Sequence, residues 1–161
     1  ILSGDSAGGG LSLATVLSLR DAGELFPAAL VCMSPWVDLT FKGQSYISNA
    51  KAEAVLQEDV LREWAACYVG NEKTDHPLIS PIYADFHDFP PLLIQVGNDE
   101  ILLDDARILA ENVKGDGVDV TLKTWEGMWH VWQVLGGLIP ESRLAFEQID
   151  QFVKEKVRAQ R

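Results

Sequence analysis

The sequence predicts an α/β protein, a mostly parallel sheet with helices on its faces. Three observations carry this. Strand-like and helix-like patterns alternate along all 161 residues, the order that favours parallel strands joined by crossover helices. Two short runs, Ala28 to Ser34 and Leu92 to Val96, are almost wholly apolar and are closed by Pro35 and Gly97, as strands buried on both sides are. Finally, Ile1 and Leu2 run through a tight glycine-flanked turn into a helical stretch.

The elements follow in order. Gly8 to Ala22 reads as a helix. Leu11, Ala14, Val16, Leu17 and Leu19 make it apolar enough to be well buried, and Gly23 suits its C-terminal cap. Ala28 to Ser34 is a buried strand. Trp36 to Glu58 reads as irregular and polar. Glu58 to Val69 is helical, with Val60, Leu61, Trp64, Ala65 and Tyr68 on one broad face and Gly70-Asn71 as its stop. Leu92 to Val96 is the next strand. Asp104 to Asp116 is a helix whose first-turn carboxylates suit the helix dipole. Val118 to Trp125 alternates Val118, Val120, Leu122 and Thr124 on one side and is a strand. A last helix runs from about Pro140 to Val157, with proline in its first turn and Ala145, Ile149, Phe152 and Val153 facing inward.

Composition narrows the function classes. Apolar residues make up 47% and charged residues 23%, with a net charge of −11. That balance argues against nucleic acid, whose phosphates need Lys and Arg, and against an anionic membrane surface. The chain is long enough for one domain with a sizeable core. No apolar run approaches the roughly 18 residues that span a bilayer. Cytoplasmic placement is the default expectation. Cys32 and Cys67 have no metal or redox spacing, and Cys32 reads as a small buried hydrophobe. No metal or cofactor is expected.

The chemistry begins at Gly4-Asp5-Ser6-Ala7-Gly8. Gly-x-Ser-x-Gly between a strand and a helix is the pattern of a nucleophile elbow. Both glycines are expected to be required because the turn leaves no room for a Cβ beside the serine. A serine hydroxyl needs a base, and the base needs an orienting group. Of the three histidines, His76 precedes Pro77 in a loop and His87 lies in a polar turn. His130 directly follows a strand and precedes a helix, and catalytic groups of open α/β sheets stand at carboxyl ends of strands. Asp99 and Glu100 follow Leu92 to Val96, so either acid completes the chain order Ser, acid, His. The backbone N–H of Ala7, at a helix N-terminus, would donate to an oxyanion. Leu102, Leu103, Met128, Trp129 and Trp132 lie near the acid and base in sequence and are candidates to line a substrate pocket. Asp5 reads as structural, and Asp38 and Asp104 as loop and helix-cap carboxylates.

The chain resembles the bacterial hormone-sensitive-lipase-like (family IV) carboxylesterases of the α/β-hydrolase superfamily. The resemblance rests on Gly4-Asp5-Ser6-Ala7-Gly8-Gly9, Ser34-Pro35-Trp36-Val37-Asp38-Leu39, Pro77-Leu78-Ile79-Ser80-Pro81, and Pro90-Pro91-Leu92-Leu93-Ile94-Gln95-Val96-Gly97. It continues through Glu100-Ile101-Leu102-Leu103-Asp104-Asp105 and Met128-Trp129-His130-Val131-Trp132. It implies an α/β-hydrolase fold without cofactors and a small-molecule ester of short to medium acyl length as substrate. Aligning the family's Asp-Pro-Leu-x-Asp so that its second acid falls on Asp104 puts Glu100 rather than Asp99 at the catalytic place. The implied triad is Ser6, Glu100 and His130.

The family's His-Gly-Gly-Gly oxyanion loop has no counterpart in these 161 residues. The expectation is that residues 1–161 are the C-terminal part of a single catalytic domain, lacking its N-terminal strands, cap and His-Gly-Gly loop. The cut is expected to leave either Ala28 to Ser34 or the strand at Ile1 as an open, association-prone edge. The resemblance also implies a parent homodimer through Val118 to Trp125. The alternatives are an amidase or lactonase on the same residues, or a non-catalytic fragment or pseudoenzyme of the same fold.

Overall fold

The computed structural model describes residues 1–158. Among these, four strands form one parallel sheet: β1 (Leu2–Asp5), β2 (Leu30–Met33), β3 (Leu92–Gly97) and β4 (Val120–Trp125), side by side in chain order. Leu2, Leu30, Leu92 and Val120 stand in one row across it. All four strands therefore end on the same side, and every loop that follows a strand meets the others there.

The helices are α1 (Ala7–Asp21), the short α2 (Ser45–Ser48), α3 (Glu58–Val69), α4 (Leu103–Gly115) and α5 (Pro140–Arg158). Strand alternation divides the core between two faces. Leu30, Cys32, Leu92, Ile94 and Val96 pack with Leu13, Val16 and Leu17 of α1 and with Ala106, Leu109 and Val113 of α4. Val31 and Leu93 point the other way, onto Phe152, Ile149 and Val153 of α5. Val118, Val120 and Leu122 pack half-buried against the first face, the side that their alternation marks. Gly23, at φ +68, follows the last turn of α1 and lets the Glu24 N–H return to the Leu19 carbonyl (2.9 Å), a left-handed helix end that suits glycine. Among the described residues, no helix is long and apolar enough to cross a membrane.

Several expectations need correction. Leu11 is 59% exposed, because it lies on the α1 face turned away from the sheet. The segment after β2 is not a polar surface loop. Trp36, Leu39 and Tyr46 join Leu61, Ala65 and Val69 of α3, together with Ile101 and Leu102, in a separate core beyond the strand ends. β2 is interior to the sheet, so the outer strands are β1 and β4. Asp105 is not merely a dipole-facing carboxylate, because it is buried. Its Oδ2 accepts the N–H groups of Val37 and Asp38 at 3.1 and 3.0 Å, tying α4 to the chain leaving β2. Cys32 is buried and Cys67 exposed, and both are free thiols.

Candidate active site

The turn after β1 is sharp. Ser6 sits at φ +50 and ψ −123, backbone space that costs a non-glycine residue about 1–3 kcal/mol and clusters at functional sites. It caps α1 with its backbone only, since its side chain makes no capping bond. The strained backbone is held from both sides. The Ser6 N–H donates to the Met33 carbonyl (2.9 Å), and the Ser6 carbonyl accepts from the Trp36 N–H (3.0 Å). The Ala7 N–H opens α1, where the first amides lack intrahelical acceptors.

The glycines work differently from the sequence reading. A Cβ on Gly4 would overlap the Gly8 carbonyl, whereas one on Gly8 would meet nothing within 4 Å. The other close approaches come one and two residues later. A Cβ on Gly9 would stand 2.8 Å from Pro35 Cβ, and one on Gly10 would overlap the Trp36 carbonyl. Gly9 and Gly10 let α1 lie directly against the chain that leaves β2.

Glu100 follows β3, and its side chain is fully buried. Its Oε1 accepts the Gly97 N–H at 2.6 Å and the Ser34 hydroxyl at 2.7 Å. Its Oε2 lies 3.0 Å from Nδ1 of His130, which follows β4 and is 7% exposed. In the tautomer with its hydrogen on Nδ1, the imidazole donates to this carboxylate and leaves Nε2 as the acceptor. Asp99 is half-buried and gives His130 no such bond; its N–H donates to the Met128 carbonyl at 3.3 Å. The geometry therefore pairs Glu100, not Asp99, with His130. Ser6, Glu100 and His130 stand beyond the carboxyl ends of β1, β3 and β4.

One residue escaped the sequence reading. Ser34, just beyond β2, is fully buried and has φ +46. It occupies the strand end that the other three leave open. A serine between a buried strand and Pro35 was the available signal.

The cavity beside the elbow has a volume of about 340 Å³ and is overwhelmingly apolar. Ala7, Gly8 and Leu11 of α1, Trp36, and Trp64 and Tyr68 of α3 form much of its wall. The five residues expected to line a pocket do not line this cavity. Leu102 and Leu103 are buried in the two cores, and Met128 and Trp129 are half-buried on the His130 loop. Trp132 is also fully buried. Proximity in sequence to Glu100 and His130 misled because the wall comes from the opposite side of the sheet end. Trp64 and Tyr68 remain 54% and 59% exposed, so the broad apolar face of α3 serves core and cavity together.

Away from this site, Asp85, His87 and Asp116 bring their ligand atoms within 4.8 Å of one another. His87 Nδ1 lies 2.6 Å from Asp85, and Asp116 accepts the Phe86 N–H at 2.7 Å. The Asp85 carboxylate raises the pKa of His87 through this hydrogen bond. With Arg20 donating to the Asp85 and His87 carbonyls, these bonds account for the turn. His76 accepts the Leu78 N–H locally.

A family model for the alpha/beta hydrolase fold matches residues 1–134. This chain belongs to the alpha/beta hydrolase fold family. It is 44% identical over 153 residues to an acetyl-hydrolase of Streptomyces hygroscopicus, covering 95% of this chain and 51% of that protein. It is 37% identical over 153 residues to an esterase of Acinetobacter venetianus, covering 94% and 50%. Among solved structures, an esterase from the bacterial hormone-sensitive lipase family superposes with a TM-score of 0.94 at 44% identity, covering 96% of this chain and 52% of the other. This chain thus spans about half the length of the curated relatives it matches.

Proposed function

We propose that this chain carries the nucleophile, acid and base of a serine carboxylesterase acting on short to medium acyl esters. The single observation behind the reading is the buried Glu100–His130 Nδ1 bond, at the same sheet end as the strained Ser6. Ser6 Oγ attacks the ester carbonyl carbon while His130 Nε2 takes its proton. The imidazolium then protonates the leaving alkoxide, and an acyl-serine remains. Water deprotonated by His130 attacks that acyl group, the acyl–Oγ bond breaks to release the carboxylic acid, and the proton returns to Ser6 Oγ. Glu100 holds the imidazole in the Nδ1–H tautomer and stabilises its cation. The Ala7 N–H supplies one donor to the oxyanion, a kind of contact worth about 10²–10³ in rate.

The apolar cavity between α1 and α3 supports an acyl or alcohol chain as its occupant, because its wall offers area rather than hydrogen bonds. The esterase and acetyl-hydrolase names of the relatives point to the same bond type. Pairing of two copies through the outer edge of β4 belongs to the same reading.

A fluorophosphonate probe tests it. The expected result is one adduct on Ser6, lost in Ser6→Ala and strongly slowed in His130→Ala. A folded protein that stays unlabelled and leaves p-nitrophenyl esters intact would sink the reading.

A further inference from the structure

We propose that Ser34 is a positioning residue that locks the acid and base arms into one geometry; this rests on the triad reading above. Its hydroxyl does two things at once. It donates to Glu100 Oε1 at 2.7 Å and accepts the Val131 N–H at 3.1 Å. Val131 is the residue immediately after His130. One buried hydroxyl therefore joins the carboxylate that orients the imidazole to the backbone that carries it.

The surroundings explain why such a pin is needed. Val131 sits at φ +53, left-handed space that is a genuine outlier for a β-branched residue. Its N–H is turned into the protein, and without Ser34 it would lose its acceptor. A stranded buried amide costs about 1–3 kcal/mol, enough to let the His130 loop relax away from its strain. Ser34 is anchored in turn, since its own N–H donates to the Gln95 carbonyl on β3 at 2.6 Å. Among the described residues, five non-glycine residues have positive φ, and three of them, Ser6, Ser34 and Val131, lie at this sheet end. The strain is concentrated where the reacting groups are aimed.

The hydroxyl also sets the rotation of Glu100. Gly97 and Ser34 both bind Oε1, which leaves Oε2 to His130. Losing Ser34 leaves Oε1 with the Gly97 amide as its one partner, and positioning errors of about 1 Å can cost 10²-fold in rate.

The test uses Ser34→Gly and Ser34→Ala. Glycine accepts the positive φ without strain, so a role confined to backbone conformation predicts an unharmed Ser34→Gly protein. The expected result is a fall in kcat of about 10- to 100-fold with KM within about threefold. Alongside it, the low-field proton resonance of His130 Nδ1–H should broaden or vanish through exchange. In a Glu100→Gln background, Ser34→Gly should add little further loss, because the two act as a unit.

A sharp, unshifted resonance with kcat within twofold in both variants would overturn the proposal. So would additive losses in the double variant, or failure of both single variants to fold, which would mark Ser34 as purely structural. If the unaltered protein lacks both the resonance and Ser6 labelling, the triad reading itself falls and takes this proposal with it.

Discussion

Gly97 and Met128 meet backbone to backbone: a Cβ on Gly97 would overlap the Met128 carbonyl oxygen. The end of β3 and the loop carrying His130 can approach this closely only because residue 97 has no side chain. The same Gly97 N–H binds Glu100, so one glycine sets both the height of Glu100 and the path of the loop that carries His130.

Gly97→Ala should therefore push the His130 loop outward. The expected outcome is a loss of roughly 1–3 kcal/mol in stability from forced overpacking and about a 10²-fold fall in ester turnover from misplacement of the base. Thermal melts and initial rates on p-nitrophenyl butyrate measure the two separately. Turnover near that of the parent would show that the loop accommodates the methyl group freely.

Glu100→Gln keeps the volume of the buried side chain but replaces the carboxylate that the proposed mechanism assigns to His130. In a serine protease the equivalent acid-to-amide change drops kcat about 10⁴-fold, and a fall of about 10³–10⁴ is expected here on the same logic. Asp99→Asn should stay within about threefold of the parent, since rates follow the group that holds the base. Reversed sensitivities would transfer the orienting role to Asp99.

Burial pushes the Asp105 carboxyl up to about 8, against the two amide donors that favour its charge. The folded pKa is thus raised above the ordinary 3.8. Such a group contributes its stability at low pH, and the contribution is lost as pH rises from about 4 through about 8. The loss on ionisation is on the order of a few kcal/mol. Asp105→Asn keeps an acceptor for both amides and cannot ionise. Its melting temperature should fall less between about pH 5 and pH 9 than that of the parent. Parallel curves for the two proteins would show that Asp105 does not carry the slope.

Trp64 stands over the cavity while 54% exposed. Trp64→Ala should therefore cost less than about 1 kcal/mol in stability. It should raise KM for short acyl esters several-fold with kcat little changed, the signature of lost uniform binding. A p-nitrophenyl series from acetate to decanoate reads the change, and an unaltered chain-length profile would place the substrate elsewhere.

The two thiols should separate cleanly. Burial pushes Cys32 up to about 12, while Cys67 is exposed. A thiol reagent on the native protein should modify one cysteine quickly, and mass spectrometry should place it at Cys67. Cys32 should react only after unfolding, because the thiolate is the reactive form.

The element order, the parallel sheet and the boundaries of α3 were legible to within a residue or two, because periodicity and glycine or proline punctuation are local properties of the chain. Legible in the same way was the placement of Ser6, the Asp99–Glu100 pair and His130 after β1, β3 and β4. The wall of the cavity was not. The apolar face of α3 exceeds what its core contacts bury, and only the packing of α3 beside α1 turns the surplus into a cavity. Nor could the sequence show which glycines of the elbow region matter, since the obstruction at Gly9 and Gly10 comes from Pro35 and Trp36, across the neighbouring strand end.

By itself, then, the sequence determined the parallel architecture and the placement of Ser6, the Asp99–Glu100 pair and His130 at strand ends, since each depends on side-chain type and spacing along a few residues. Only the tertiary structure put Glu100, which the family resemblance had preferred to Asp99, in contact with His130, joined Ser34 to both Glu100 and Val131, and opened an apolar cavity beside the elbow. Those choices rest on contacts between residues far apart in the chain, 66 for Ser34 with Glu100 and 97 for Ser34 with Val131. Hydrogen bonds of that span exist only once the sheet has brought its strand ends together.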